Sequence, residues 1–224
     1  MIKVAGHDEC NQLCTESNNK GIYNTRVISP PLRLPFEISK LLSFSVYYLH
    51  SVWVTIEGTG YSIGSNRDFR ICGSISNEIY RKAIKIEIRD GEGNPRKLLS
   101  AVCGLYYTLY MVQPPVSGGS PELAYVYHEK NNGNPLFLNI NGRRPSCLFG
   151  GEEYSAAIDS DGYVIIVTNN GVQILNLPNG YKAVSTAFCE QSVFALSQCN
   201  RLFESTYSKS KNKFSKFYEV SEFR

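Results

Sequence analysis

Apolar and polar positions alternate over short runs along this chain, and Gly, Pro, Asn or Ser separates each run from the next. A period of two puts alternate side chains on one face of a pleated strand, so the pattern predicts half-buried β-strands. Strands are expected near residues 2–6, 44–48, 51–56, 60–64, 84–89, 99–103, 106–112 and 123–127. Further ones fall near 137–140, 155–158, 163–168, 172–175, 183–187, 192–196, 201–205 and 217–220. No segment sustains the helical apolar period of about 3.6 residues; residues 76–82 fit a short helical turn at most.

The runs repeat. Lys40-Leu41-Leu42-Ser43 returns as Lys97-Leu98-Leu99-Ser100, 57 residues on. That offset aligns His50-Ser51-Val52-Trp53-Val54 with Tyr107-Thr108-Leu109-Tyr110-Met111, a hydroxyl residue leading an apolar strand. The form returns at Tyr154-Ser155-Ala156-Ala157-Ile158 and at Gln191-Ser192-Val193-Phe194-Ala195-Leu196, giving successive intervals of 57, 47 and 37 from Ser51. Gly58, Gly162 and Asn200 follow three of these strands, and such residues accept the positive φ of a tight hairpin turn. In the unit at Thr108 a longer Pro/Gly/Ser segment, 113–122, replaces the turn. Near the N-terminus, Gly6 to Cys14 matches Gly64 to Cys72 at an offset of 58, so the chain is read as starting inside a repeat that lacks its first hairpin strand.

The order His-Ser-Val, turn Gly, Tyr-x-x-Gly-x-Asn in residues 50–66 resembles the regulator of chromosome condensation repeat. The resemblance runs from Met1 to about Val220. It implies an all-β fold, a β-propeller of antiparallel four-stranded blades, of which family members usually have seven. At about 45–55 residues per blade the chain supplies four to five, which predicts an open or incomplete ring within one domain, 1–224. For function the resemblance implies a non-enzymatic protein–protein interaction scaffold. Its alternatives are guanine-nucleotide exchange on a small GTPase, as the best-known family member performs, and a structural part of a larger, for example cytoskeletal, assembly.

Composition changes this picture little. The chain has 224 residues, 42% hydrophobic and 19% charged, and a formal net charge of +3. That charge is too small to point to nucleic acid. The N-terminus has no apolar run of signal-peptide length, and no stretch approaches the roughly 18 apolar residues of a membrane helix. The chain is therefore placed in the cytoplasm or nucleus, where its seven cysteines stay reduced. Cys10 and Cys14 in particular are expected to form no disulfide.

Candidate chemistry resolves into structure. His7, His50 and His128 fall in different units, and His50 is expected to hydrogen-bond the backbone of a neighbouring blade. Cys10-x3-Cys14 lacks the second pair of a zinc site. Asp159-Ser160-Asp161-Gly162 has Asn170 where a calcium loop needs its Glu, and reads as a hairpin turn. Ser117-Gly118-Gly119-Ser120 lacks the ending of a phosphate loop and reads as a loop tip. Lys209 to Lys216 and Arg143-Arg144 read as solvated loops, although Phe214 could stack on a base if the first run met nucleic acid. No catalytic, cofactor or metal site is assigned.

The repeat alignment makes two further claims. Val52, Val54, Leu109, Met111, Ala156, Ile158, Val193 and Ala195 should be largely buried, at equivalent positions of the repeated strand. Trp53, Tyr110, Ala157 and Phe194 should lie on the opposite pleat, packed between blades. Residues 217–220 are read as an early strand of a further repeat. The exposed blade edges are then expected to be covered by a second copy, a different partner or further sequence.

Overall fold

The structure is a computed structural model that describes residues 2–6, 22–28, 34–66, 79–116, 118–127 and 134–221, with the side chains of the first two segments and of residue 81 outside the description. It opens with a two-stranded antiparallel sheet, β1 (Ile2–Gly6) and β2 (Ile22–Ile28). The first full blade is β3 (Leu41–Tyr47), β4 (His50–Thr55), β5 (Gly60–Ser65) and β6 (Ile79–Ile86), hydrogen-bonded in that order. A small ribbon, β7 (Ile88–Arg89) and β8 (Pro95–Arg96), leads to the second blade. That blade is β9 (Leu98–Cys103), β10 (Tyr107–Val112), β11 (Glu122–Tyr127) and β12 (Leu136–Phe137). The third is β13 (Pro145–Gly150), β14 (Ser155–Asp159), β15 (Val164–Thr168) and β16 (Gly171–Leu175). The fourth is β17 (Ala183–Cys189), β18 (Ser192–Ser197), β19 (Leu202–Ser208) and an outer edge made by β20 (Lys213–Phe214) and β21 (Tyr218–Glu219), both paired to β19. The all-β propeller expectation holds, as four blades and part of another.

The pairing of β1 with β2 identifies that part. Ile2 faces Ile28 and Gly6 faces Ile22, with an irregularity between Val4 and Gly6. In the first full blade Gly60 faces Ile86 and Gly64 faces Tyr80, with the same irregularity between Ser62 and Gly64. Every partner is displaced by 58, the offset read from the sequence. Strands β1 and β2 are thus the third and fourth strands of a blade.

Hydrogen bonds at the strand ends fix the register of the four full blades. The N–H groups of Ile56, Gln113, Ser160 and Gln198 donate to the carbonyls of Lys40, Lys97, Arg144 and Lys182, at 2.8 to 3.0 Å. Each first strand then carries a register shift one residue into its ladder, at Leu42, Leu99, Ser146 and Val184. A bulge adds local twist and re-aims the strand. Here it recurs four times at one register.

This register corrects the fourth unit. Thr55, Asp159 and Ser197 close equivalent turns, each donating across the turn and accepting from Gly58, Gly162 and Asn200 respectively. Val193, not Ser192, is therefore the counterpart of Ser51, and the last interval is 38. Val193 and Ala195 are buried but face the third blade, while Phe194 lies on the far, half-buried face. The aligned Ser192 hydroxyl was misleading, because the turn sets the register and not the residue type. Two other expectations change. Residues 79–82 belong to strand β6 because β5 supplies ladder partners there. Glu219 pairs with Phe203, so 217–220 closes the fourth blade instead of starting another.

The first strands adjoin one another in the order β3, β9, β13, β17 and form the inner wall. Blades pack face to face, with one apolar slab per junction. Val52, Val54, Ala101, Cys103 and Tyr110 fill the first junction. Leu109, Met111, Leu123, Ala157 and Ile165 fill the second. Ala156, Ile158, Val193, Phe203 and Phe214 fill the third. The arc is open at β3. Leu42, Phe44, Val46 and Tyr48 on and beside that strand are 51, 60, 38 and 65% exposed. The counterparts of Phe44 are Ala101, Leu148 and Thr186, all covered to some degree by a preceding blade. The outer part of the same face is closed differently: Trp53 and Ile63 are buried against Leu34, Phe36 and Tyr61.

Candidate interaction faces

Two flat faces carry the loops. One, the turn face, gathers the hairpin turns between second and third strands and the entrances to the first strands. Gly58 (φ 82°) and Gly162 (φ 85°) sit in these turns in the left-handed region. Their carbonyls accept from the N–H groups of Leu98 and Ala183 in the next blade, at 2.9 and 3.1 Å. The approach is close: a Cβ on Gly162 would lie 2.5 Å from Lys182 Cβ, and one on Gly58 would lie 2.8 Å from Lys97 Cβ. Each glycine turn thus seats the stem of a lysine from the next blade. Lys40, Lys97, Arg144 and Lys182 hold one register position and all four are exposed. Lys40 pairs with Glu57 at 3.5 Å.

The second and third blades lack this latch at both ends. The second blade's turn is the long loop after β10, and the equivalent of Leu98 and Ala183 is Pro145, which has no N–H to give. The opposite face fastens this junction instead. Tyr107, fully buried, shares its one hydroxyl hydrogen between the carbonyls of Gly151 and Tyr154, at 2.8 and 2.7 Å, and accepts from Gly151 N, beside a backbone bond from Leu105 N–H to the Glu152 carbonyl at 2.9 Å. Burial raises its phenol well above the usual tyrosine range. At the same register in the first blade, His50 Nε2 lies 3.0 Å from Thr108 Oγ1. An interblade bond of His50 is present, with the Thr108 side chain as its partner where the backbone was expected. Beside Tyr107 a cleft of about 240 Å³ is lined by Tyr106, Glu152, Tyr154, Asn170, Tyr207 and Lys209 among others.

No family model and no curated protein matches the chain. Solved structures do. Human WBSCR16 shares 16% identity over 96% of this chain and 61% of its own, with a TM-score of 0.72. Yeast RCC1 (Prp20) bound to Kap60 shares 17% over 98% and 57%, with a TM-score of 0.68. Prp20p from Saccharomyces cerevisiae, studied with its binding to Gsp1p and histones, shares 18% over 98% and 58%, again at 0.68. The fold is that of the RCC1 propeller. The chain spans about three fifths of the length of these structures.

Within this RCC1-type frame the residues singled out in the sequence fall as follows. Asp159 forms the hairpin turn expected of it, its Oδ1 accepting from the N–H groups of Asp161 and Tyr163 at 2.9 and 2.8 Å. Arg143 is no free cation: it lies 3.5 Å from the centre of the Tyr163 ring and pairs with Asp159 and Asp161. Phe214 cannot stack on a base, being 3% exposed against Tyr154 and Tyr207. Cys103, Cys147, Cys189 and Cys199 are free thiols, and burial pushes that of Cys103 up to about 12. His7, His128, Cys10, Cys14 and Cys72 lie outside the described residues, as does Ser117. Among the described residues no His, Cys, Asp and Glu cluster is placed to hold a metal, and no helix is long and apolar enough to cross a membrane. The row of exposed cations escaped the sequence alignment. Its first two members lay in the quoted Lys-Leu-Leu-Ser repeat, but Arg144 and Lys182 match only once the turns set the register.

Proposed function

We propose that the chain is a non-enzymatic protein-interaction scaffold. The observation that carries this reading is the contrast between a constant frame and variable loops. Four blades keep one bulge and one strand-entry hydrogen bond, while the segments mounted on that frame differ: Glu57-Gly58, the 113–122 loop, Ser160-Asp161-Gly162 and Gln198-Cys199-Asn200. Rigid scaffolds that hold unlike loops on one face are built for recognition. Association at the exposed face of the first full blade belongs to the same reading, because covering Phe44 and Leu42 removes apolar surface from water.

The exchange-factor alternative draws on the likeness to Prp20, whose binding to Gsp1p was studied with its structure. Two assays decide between them. The chain is immobilised and its captured proteins are identified from cell extract, and nucleotide release from a panel of small GTPases is timed with and without it. Reproducible capture with unchanged release is the expected pair of results. Accelerated release from any GTPase would replace the scaffold reading with exchange.

A further inference from the structure

Three of the four register-equivalent cations, Lys97, Arg144 and Lys182, have no acidic partner among the described residues. Their neighbours on the turn face do: Glu57 answers Lys40, and Asp159 with Asp161 answers Arg143. The backbone carbonyls of all three are tied down, and the stems of Lys97 and Lys182 rest on the glycine turns of the preceding blades. They sit at the entrances of adjoining inner strands, so they succeed one another along the arc. Blades packed face to face are about 10 Å apart, which makes the span about 20 Å, or about six residues of extended chain. Lys182 also lines a cleft of about 370 Å³ with Tyr163, Asn176 and Tyr181.

We infer that Lys97, Arg144 and Lys182 form a cationic track that binds an acidic, extended peptide segment of a protein partner. The inference rests on the scaffold reading and gives the partner its chemistry. A peptide fits better than a nucleic acid for two reasons. Single-stranded nucleic acid wants open aromatic platforms as well as charge, and the rings on this face are taken: Arg143 covers Tyr163, and Arg201 lies 5.2 Å from the Tyr181 centre. Asp161, exposed between the cations, opposes a continuous phosphate chain but leaves room for carboxylates spaced along a peptide. One exposed ion pair contributes little. Three in register, engaged by one segment, add up and steer the encounter.

Fluorescence anisotropy with a labelled oligoglutamate peptide tests this at low and physiological salt, with oligolysine and oligouridylate of matched length as comparison probes. The protein is used as it stands and as the triple variant Lys97→Glu, Arg144→Glu, Lys182→Glu. A second triple variant, Lys209→Glu, Lys211→Glu, Lys213→Glu, makes the same charge change at exposed positions on the opposite face. Oligoglutamate is expected to bind, to weaken with salt, and to lose about tenfold or more in affinity with the track variant only. Equal losses in both variants, no binding at low salt, or tighter binding of oligouridylate would overturn the track. Circular dichroism checks that the triple variant folds; if it does not, Arg144→Glu alone must still weaken binding relative to Lys211→Glu. Proteins captured from extract that survive the track variant would leave the scaffold reading intact while removing this one.

Discussion

The junction between the second and third blades and the junction between the third and fourth bury similar apolar slabs. Both carry polar bonds away from the turn face, Leu105 N–H to the Glu152 carbonyl in one and Asn170 to Asn212 in the other, yet only the latter junction has the turn-face latch. Between the third and fourth, the Gly162 carbonyl accepts from Ala183 on the turn face. Between the second and third, that bond is gone with its donor, at Pro145, and with its turn. A tyrosine hydroxyl on the other face spans the gap to Gly151 and Tyr154. The repeat keeps a register and an apolar slab, while the polar bonds between blades vary. Apolar contact is non-directional and supplies most of the energy, so it tolerates either arrangement.

The largest effects should therefore be alike at the two junctions. Leu109→Ala in one and Phe203→Ala in the other should each cost about 3–5 kcal/mol, since both side chains are fully buried. Urea unfolding measures this, and a loss below about 1 kcal/mol at either site would break the comparison.

The latches come next. Gly162→Ala meets both a left-handed backbone and Lys182, whose Cα would be 2.7 Å from the new Cβ. Gly118 has nearly the same φ, 84°, with nothing within 4 Å of its Cβ. Backbone strain alone costs about 1–2 kcal/mol, so Gly118→Ala should stop there and Gly162→Ala should exceed it. Equal losses would mean that the close approach to Lys182 carries no energy. Tyr107→Phe removes the phenol donor from the Gly151 carbonyl, while the Tyr154 carbonyl keeps the Gly151 N–H and Leu105 N–H still donates to Glu152; about 1–2 kcal/mol is expected. Amide exchange should then quicken around Gly151, while Ala183 stays protected.

Alkaline pH sharpens the contrast with the smallest effect. Folding raises the pKa of both the Cys103 thiol and the Tyr107 phenol, chiefly by burial. Each group's contribution to stability is whole below its unfolded pKa, about 8.5 for Cys and about 10 for Tyr. It is lost as pH rises toward the folded values, because the unfolded chain ionises first. Thermal melts should fall from about pH 9 upward, and the deficit of Tyr107→Phe against the parent should shrink above about pH 10. A deficit that widens there would contradict the buried neutral phenol.

Much of this fold was legible in the residues. The offset of 58 between Gly6 and Gly64 reappears, partner by partner, in the pairing of β1 with β2. The turns at Gly58, Gly162 and Asn200 have the positive φ their residue types announce. The rest was hidden for definite reasons. Pro145-Ser146-Cys147 reads as loop because the bulge at Ser146 breaks the alternation of β13, so that strand was missed. The fourth unit slipped because Ser192 mimics Ser51 one position early. The exposure of Phe44 could not be read at all, since its counterparts Ala101 and Thr186 are buried by neighbouring blades and residue type does not decide it.

That exposure is the most direct test of an open arc of register-equivalent blades. Single cysteines at Phe44, Ala101, Leu148 and Thr186 are treated with a thiol reagent in dilute native protein and located by mass spectrometry, with Cys189 and Cys199 as exposed internal references. Rapid modification is expected at position 44, at a rate near that of the references, and slow modification at the other three. Protection of position 44 to the level of 101 and 186, or rapid modification at those two, would contradict it.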